Sequence, residues 1–289
     1  MPSDIEHEEG MMEGSDQVRL FNQYWRPQNP KAVLIIVHGL KDHSTRYANV
    51  AQQLVSHGYA VYASDLRGHG RSDGERAFVN SFEDYFRDLD LFYDQVRRKE
   101  PGRPIFLFGH SMGGAIALLF TLTRNSDIRG LILSAPALKV GSDVSPLLVW
   151  FTKRLAGIAP KRPVFKLDNK LFTRDPEALA AMNSDPLIYN KSHPARTAAE
   201  LLRAIERIQK RMTSLTIPII MMHGTADSIT NSDGSRQLNE VALSKDKTLK
   251  LYEGHYHDLL HDLGNADVAN DLLRWLDSRL DASGGKGNL

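Results

Sequence analysis

Six short segments of this 289-residue chain constrain its fold more than any other feature. They are AVLIIVH (Ala32–His38), AVYASD (Ala60–Asp65), PIFLFGH (Pro104–His110), GLILSAP (Gly130–Pro136), IPIIMMHG (Ile217–Gly224) and KTLKLYEG (Lys247–Gly254). Most are apolar at consecutive positions rather than at alternating ones. A strand reads that way when both its faces are buried, as in a parallel sheet covered on both sides. Helical patterns lie between them, near Tyr47–His57, after Ser111, after Thr230 and over Asp267–Leu280. The clearest follows Ser81, a fitting N-cap, with Phe82, Tyr85, Phe86, Leu89, Phe92, Tyr93 and Val96 in one stripe at helical spacing. Strand and helix in alternation give a three-layer α/β domain, a mostly parallel central sheet with helices on both faces.

The alternation breaks once. Between Ala137 and Thr216 the strand signal is weak, and helical patterns near Val144–Ile158, Pro176–Asn183 and Pro194–Met212 are separated by proline-containing segments. This reads as a helical lid over the carboxyl ends of the strands, the edge at which open α/β sheets bind ligands. The expected organisation is a core of residues 17–136 and 217–280, a lid or cap of residues 137–216, and flexible tails at 1–16 and 281–289. The acidic start, MPSDIEHEEGMMEGSD, has no apolar centre and is not expected to be a secretory signal. No run of about 18 apolar residues predicts a membrane span.

Charge and cysteine content narrow the chemistry. The formal net charge is +1, and no basic tract offers a footprint for nucleic acid. There is no cysteine, which rules out disulfides, thiolate-ligated zinc and thiol catalysis, and is compatible with a cytoplasmic protein. No metal or other cofactor is expected.

The segment FLFGHSMGGAIALL carries the candidate chemistry. GHSMG fits G-x-S-x-G with a strand before it and a helix after it, the context of a nucleophile elbow in which Ser111 stands exposed above the sheet. Small residues suit a site where strand and helix backbones approach closely. Such a serine needs a base, and the base needs an orienting acid, in the chain order serine, acid, histidine. Asp227 lies just past a strand end in HGTADSIT, and His257 lies in the loop after the last strand, in YEGHYHDLLH. His255 and His261 are rivals for the base. His223, at a strand end, is expected to pack there, and Asp233 to open the next helix. Oxyanion donors are expected at the backbone N–H of Met112, directly after the serine, and of Leu40, in the loop after the first strand of the core.

With these residues in place, the chain resembles the monoacylglycerol lipase branch of the α/β-hydrolases. VHGLKDHSTRY, DLRGHGRSDGER, FLFGHSMGGAIAL, NSDPLIY, HGTAD and DKTLKLYEGHYH resemble its blocks in order, over about residues 18–280 apart from a more divergent insertion. The resemblance implies Ser111 as nucleophile, Asp227 as acid and His257 as base, because the family's base ends the G-x-Y-H block. It implies Leu40 and Met112 as oxyanion donors and the insertion as a lid over an acyl tunnel. Asp42 and Arg46 would order the mouth loop or contact a glycerol head. Leu260 stands where mammalian-type members tend to carry a second histidine, at the polar end of the pocket. The activity implied is hydrolysis of monoacylglycerols to fatty acid and glycerol through an acyl-enzyme. The alternatives are a lysophospholipase, a general carboxylesterase or, in a different class, a non-catalytic ligand receptor on a hydrolase scaffold. A peptidase is disfavoured, since the insertion shows no amine anchor.

One helix of the insertion, VSPLLVWFTKRLAGIAP, is apolar around more than one face. Leu147, Leu148, Phe151, Leu155 and Ile158 recur at helical spacing and are expected to face the protein, leaving Val149 and Trp150 off the stripe beside Lys153 and Arg154. The expectation is transient contact with a membrane surface through Trp150 and its neighbours, as part of binding a poorly soluble lipid ester, with a fully buried helix as the alternative.

Overall fold

The computed structural model describes residues 5–124, 127–140 and 145–284. Its strands are β1 (Glu6–Glu13), β2 (Arg19–Arg26), β3 (Ala32–Val37), β4 (Tyr59–Ser64), β5 (Ile105–His110), β6 (Gly130–Ser134), β7 (Pro163–Phe165), β8 (His193–Pro194), β9 (Ile219–Gly224) and β10 (Lys247–Tyr252). Its α-helices are α1 (Ala48–Ser56), α2 (Phe82–Lys99), α3 (Met112–Thr121), α4 (Pro146–Ile158), α5 (Pro176–Ser184), α6 (Ala195–Arg211), α7 (Asp233–Val241) and α8 (Asn265–Gly284). Eight strands form one sheet in the order β1-β2-β4-β3-β5-β6-β9-β10, while β7 and β8 pair separately within the insertion. From β4 to β10 all neighbours are parallel, and β2 runs against both β1 and β4.

The consecutive apolar runs are explained by two cores. On β3, Val33, Ile35 and Val37 join the cluster beneath α2, α3 and α6, whereas Leu34 and Ile36 join the cluster beneath α1 and α8. Every side chain of such a strand leaves water, so both registers must be apolar. Helix α2 begins as its sequence demands. The Ser81 side chain accepts from Glu83 N, and Asp84 reaches back to Ser81 N in a capping box.

Three expectations need correction. The segment foreseen as a mobile N-terminal tail contains β1, which pairs with β2 from Glu6↔Arg26 to Glu13↔Arg19. Its side chains are almost all exposed, so no apolar pattern marks it. It is held by the backbone ladder, by the Glu6 carboxylate on Tyr24 and Arg26, and by stacking of His7 on Trp25 at 4.8 Å. Helix α8 continues to Gly284, past the expected boundary at 280. On α4, the stripe expected to face the protein faces out: Leu147, Leu148, Phe151 and Ile158 are exposed, Ile158 by 85%. The helix packs instead through Thr152 and Ala156, with Ala156 against Ala195 and Ala199 of α6 and Leu155 half-buried beside them. Small residues let the two helices approach closely, and the large apolar side chains are left outside. Residues 1–4 and 285–289 of the expected tails, and Val144 at the start of the expected helix, lie outside the described residues.

Candidate active site

The candidate residues converge where four parallel strands end. Ser111 follows β5, Leu40 follows β3, Asp227 follows β9 and His257 follows β10. Strands β3 and β5 are adjacent, and the chain winds from them to opposite edges of the sheet, which opens a crevice at their carboxyl ends.

Ser111 sits at φ 55°, ψ −121°, a backbone conformation costly for a residue with a Cβ. Its surroundings explain how the turn is held. Ser111 N donates to Ser134 O at 3.0 Å, and its carbonyl accepts from Gly114 N at 2.9 Å and Ala137 N at 3.0 Å. The flanking glycines answer a close approach. A Cβ on Gly109 would fall 2.5 Å from Gly113 O, and one on Gly113 would fall 2.2 Å from Val37 O. The start of α3 is thus pressed against the end of β3. Gly39 lies on the serine itself, its would-be Cβ 3.0 Å from Ser111 Cβ. Among the described residues, the backbone N–H groups of both Leu40 and Met112 have no hydrogen-bond partner.

The His257 side chain is fully buried, and its Nδ1 donates to Asp227 Oδ2 at 2.8 Å. A carboxylate only accepts, so Nδ1 carries a proton, and in the neutral imidazole Nε2 is then the basic nitrogen. That Nε2 is buried with no hydrogen-bond partner. The ring lies 4.8 Å from that of His110, the residue before Ser111, and 5.3 Å edge-on from Phe172 of the insertion. Burial, together with the neighbouring His257, pulls His110 down to about 4, so it stays neutral beside the site.

Asp227 is saturated. Oδ1 accepts from Ile229 N at 2.8 Å and Thr230 N at 3.0 Å. Oδ2 meets Thr230 Oγ1 at 2.8 Å and His223 Nε2 at 3.2 Å. Burial alone would raise this carboxyl; the His257 ring and the hydrogen bonds from His223 and His257 outweigh it and hold Asp227 well below the usual carboxylate range. His223 therefore does more than pack at a strand end. Its Nδ1 is 2.9 Å from Ser235 Oγ, which aims Nε2 at the acid. Sequence spacing held a signal for this contact, since His223 and Asp227 are four residues apart across one turn. The rival bases lie elsewhere. His255 Nδ1 faces Glu253 O, and His261 bridges Asp258 and the carbonyl of Arg46.

The other sequence candidates divide. Arg46 spans two loops, donating to Asp42 Oδ1 at 3.0 Å and Asp258 Oδ2 at 2.6 Å. Asp42 also accepts from Tyr47 OH and His43 N, so its oxygens are engaged in ordering the loop. Burial would raise Asp42, and Arg46 outweighs it and lowers it. Leu260 is half-buried and packs against the apolar cluster under α1 and α8. Trp150 is 54% exposed on α4, with the Arg154 guanidinium over its ring at 5.4 Å.

Sheet order, strand ends and elbow geometry define the class: an α/β-hydrolase. Within that class the chain belongs to the family described as Serine aminopeptidase, S33, whose profile matches residues 28–264. Its relatives in this family include lipases. It is 35% identical to the human monoglyceride lipase over 274 residues, covering 93% of this chain and 90% of that protein. It is 34% identical to the monoacylglycerol lipase of Mycolicibacterium smegmatis, covering 92% and 96%. The crystal structure of the Paleococcus ferrophilus monoacylglycerol lipase superposes with a TM-score of 0.82 at 32% identity, over 90% of this chain and 99% of that one.

Proposed function

We propose that this protein is a serine carboxylester hydrolase that cleaves monoacylglycerols to fatty acid and glycerol. The observation that carries the reading is the His257 ring: its Nδ1 is bonded to Asp227, its buried Nε2 has no partner, and the ring lies 4.8 Å from that of His110, the residue before the strained Ser111. The names of the relatives supply the substrate class. In the reading, Nε2 of His257 takes the Ser111 proton as Oγ attacks the ester carbonyl. The N–H groups of Leu40 and Met112 hold the oxyanion. Collapse of the tetrahedral intermediate breaks the ester C–O bond, and His257 returns the proton to the departing glycerol oxygen. A water deprotonated by the same nitrogen then attacks the acyl-enzyme, releasing the fatty acid and freeing Ser111.

The segment 137–216 serves as the lid. No helix among the described residues is long and apolar enough to cross a membrane. The exposed Leu147, Leu148, Trp150, Phe151 and Ile158 support reversible contact with a lipid surface instead. Lys153 is paired with Glu206 at 2.5 Å, so attraction to anionic headgroups falls mainly to Arg154. The substrate reading is tested by purified enzyme on a panel of monoacylglycerols, lysophosphatidylcholines and short p-nitrophenyl esters. Glycerol release from monoacylglycerols should exceed lysolipid hydrolysis at least about tenfold in kcat/KM, a transition-state difference of about 1.4 kcal/mol. Preference for the lysolipid would overturn it.

A further inference from the structure

Lys41, next to Leu40, combines three features that its position alone does not explain. Its backbone is left-handed at φ 62°, a region that favours glycine. Its side chain is almost wholly buried, 1% exposed. Its amine meets three oxygens, all from the insertion: Leu167 O at 3.2 Å, Asn169 Oδ1 at 2.5 Å and Asn190 Oδ1 at 3.1 Å. An ammonium has three N–H groups, so the set is complete. Burial, with Lys166 nearby, pulls the amine down to about 8, a cost that those acceptors offset.

The contacts do not stop at the amine. Asn169 Nδ2 donates to Asn183 Oδ1 at 2.8 Å and to Asn190 Oδ1 at 3.1 Å, which ties the three asparagines to one another. The Lys41 carbonyl accepts from Tyr189 N at 3.2 Å, so backbone and side chain of this residue are both fastened to the insertion. The same stretch of insertion reaches the base. Phe172, three residues after Asn169, packs edge-on against His257, and its carbonyl accepts from Asp258 N at 2.8 Å. One continuous set of contacts therefore runs from the Leu40 loop through Lys41 and residues 167–172 to the His257 loop.

We propose that Lys41 is a positioning residue for ester hydrolysis: its bonds to Leu167, Asn169 and Asn190 clamp the Leu40 loop to the insertion and aim the Leu40 N–H at the reacting oxygen. The inference rests on the reading of Leu40 as an oxyanion donor. Lys41 touches no reacting atom; it acts by holding the loop on which Leu40, one residue back, carries its N–H. A backbone donor on a loop is useful only if it is held before the charge develops. The left-handed turn at Lys41 sets the course by which the chain leaves Leu40, and the amine fastens that turn from the far side.

Lys41→Asn tests this, because asparagine tolerates the left-handed backbone and lacks the amine. Lys41→Arg restores charged donors. Active sites are first titrated with a fluorophosphonate, so that kcat is counted per competent molecule. For Lys41→Asn, kcat on a short p-nitrophenyl ester should fall about 10- to 100-fold with KM within about threefold, somewhat less than the loss on deleting a whole oxyanion donor. Affinity for a trifluoromethyl ketone, whose adduct with serine carries the oxyanion, should fall by a similar factor. Lys41→Arg should recover most of both. Unchanged kcat per titrated site and unchanged ketone affinity in Lys41→Asn would overturn the proposal, as would a Lys41→Arg variant no better than Lys41→Asn. Failure of the fluorophosphonate to label wild-type Ser111 would instead overturn the underlying reading of the site.

Discussion

At the scale of single residues, the site is decided by which histidine reaches Asp227. HYH offers two imidazoles two positions apart, and the spacing does not choose between them. The structure separates them by the turn after β10: His257 enters the interior and meets Asp227, while His255 stays at the rim, packed against Tyr252 and Gly264. Replacing His257 by alanine should lower kcat by about 10⁴-fold or more, the scale seen when one member of a cooperating nucleophile–base pair is removed. His255→Ala should retain activity within about threefold. Steady-state kinetics of the two variants checks this, and a dead His255→Ala beside an active His257→Ala would contradict the assignment. His223 was harder to read. A histidine inside a buried strand looks like core, and its four-residue spacing from Asp227 becomes a contact through the fold of the β9 loop.

At the scale of elements, legibility followed burial. Strands β3, β4, β5, β6 and β9 lie inside the sheet, and their unbroken apolar runs announce it. Strand β1 lies at the edge with charged side chains, so its place is fixed by backbone bonding that composition does not record. Helix α4 shows the opposite limit: its apolar content is visible, but the face that packs is chosen by the alanines of α6. With Thr152 and Ala156 inward, the large apolar side chains form a surface patch. The double change Leu148→Ser, Trp150→Ser should therefore leave the thermal midpoint within about 2 °C, as expected for exposed positions. It should reduce co-sedimentation with phosphatidylcholine–phosphatidylglycerol vesicles several-fold and slow long-chain monoacylglycerol turnover, with short soluble esters hydrolysed almost normally. Equal losses on both substrates with a drop of several degrees would make these residues packing and remove the membrane-contact reading.

At the scale of the molecule, the sheet gathers residues from across the chain at one edge. Ser111, Asp227 and His257 are far apart in sequence and meet because three parallel strands end together. That convergence was legible, since each candidate follows a strong strand signal. The bracing around it was not. The Arg46 bridge from Asp42 to Asp258, and the seating of Phe172 on His257, depend on how loops from opposite halves of the sheet meet the insertion. The central claim is that this edge makes one serine nucleophilic. Treating the protein with a fluorophosphonate and mapping the adduct by peptide mass spectrometry tests it most directly. Stoichiometric modification at Ser111 alone is expected, abolished in Ser111→Ala while the circular dichroism spectrum stays native. Modification at another serine, or hydrolysis persisting at a near-normal rate in Ser111→Ala, would contradict it.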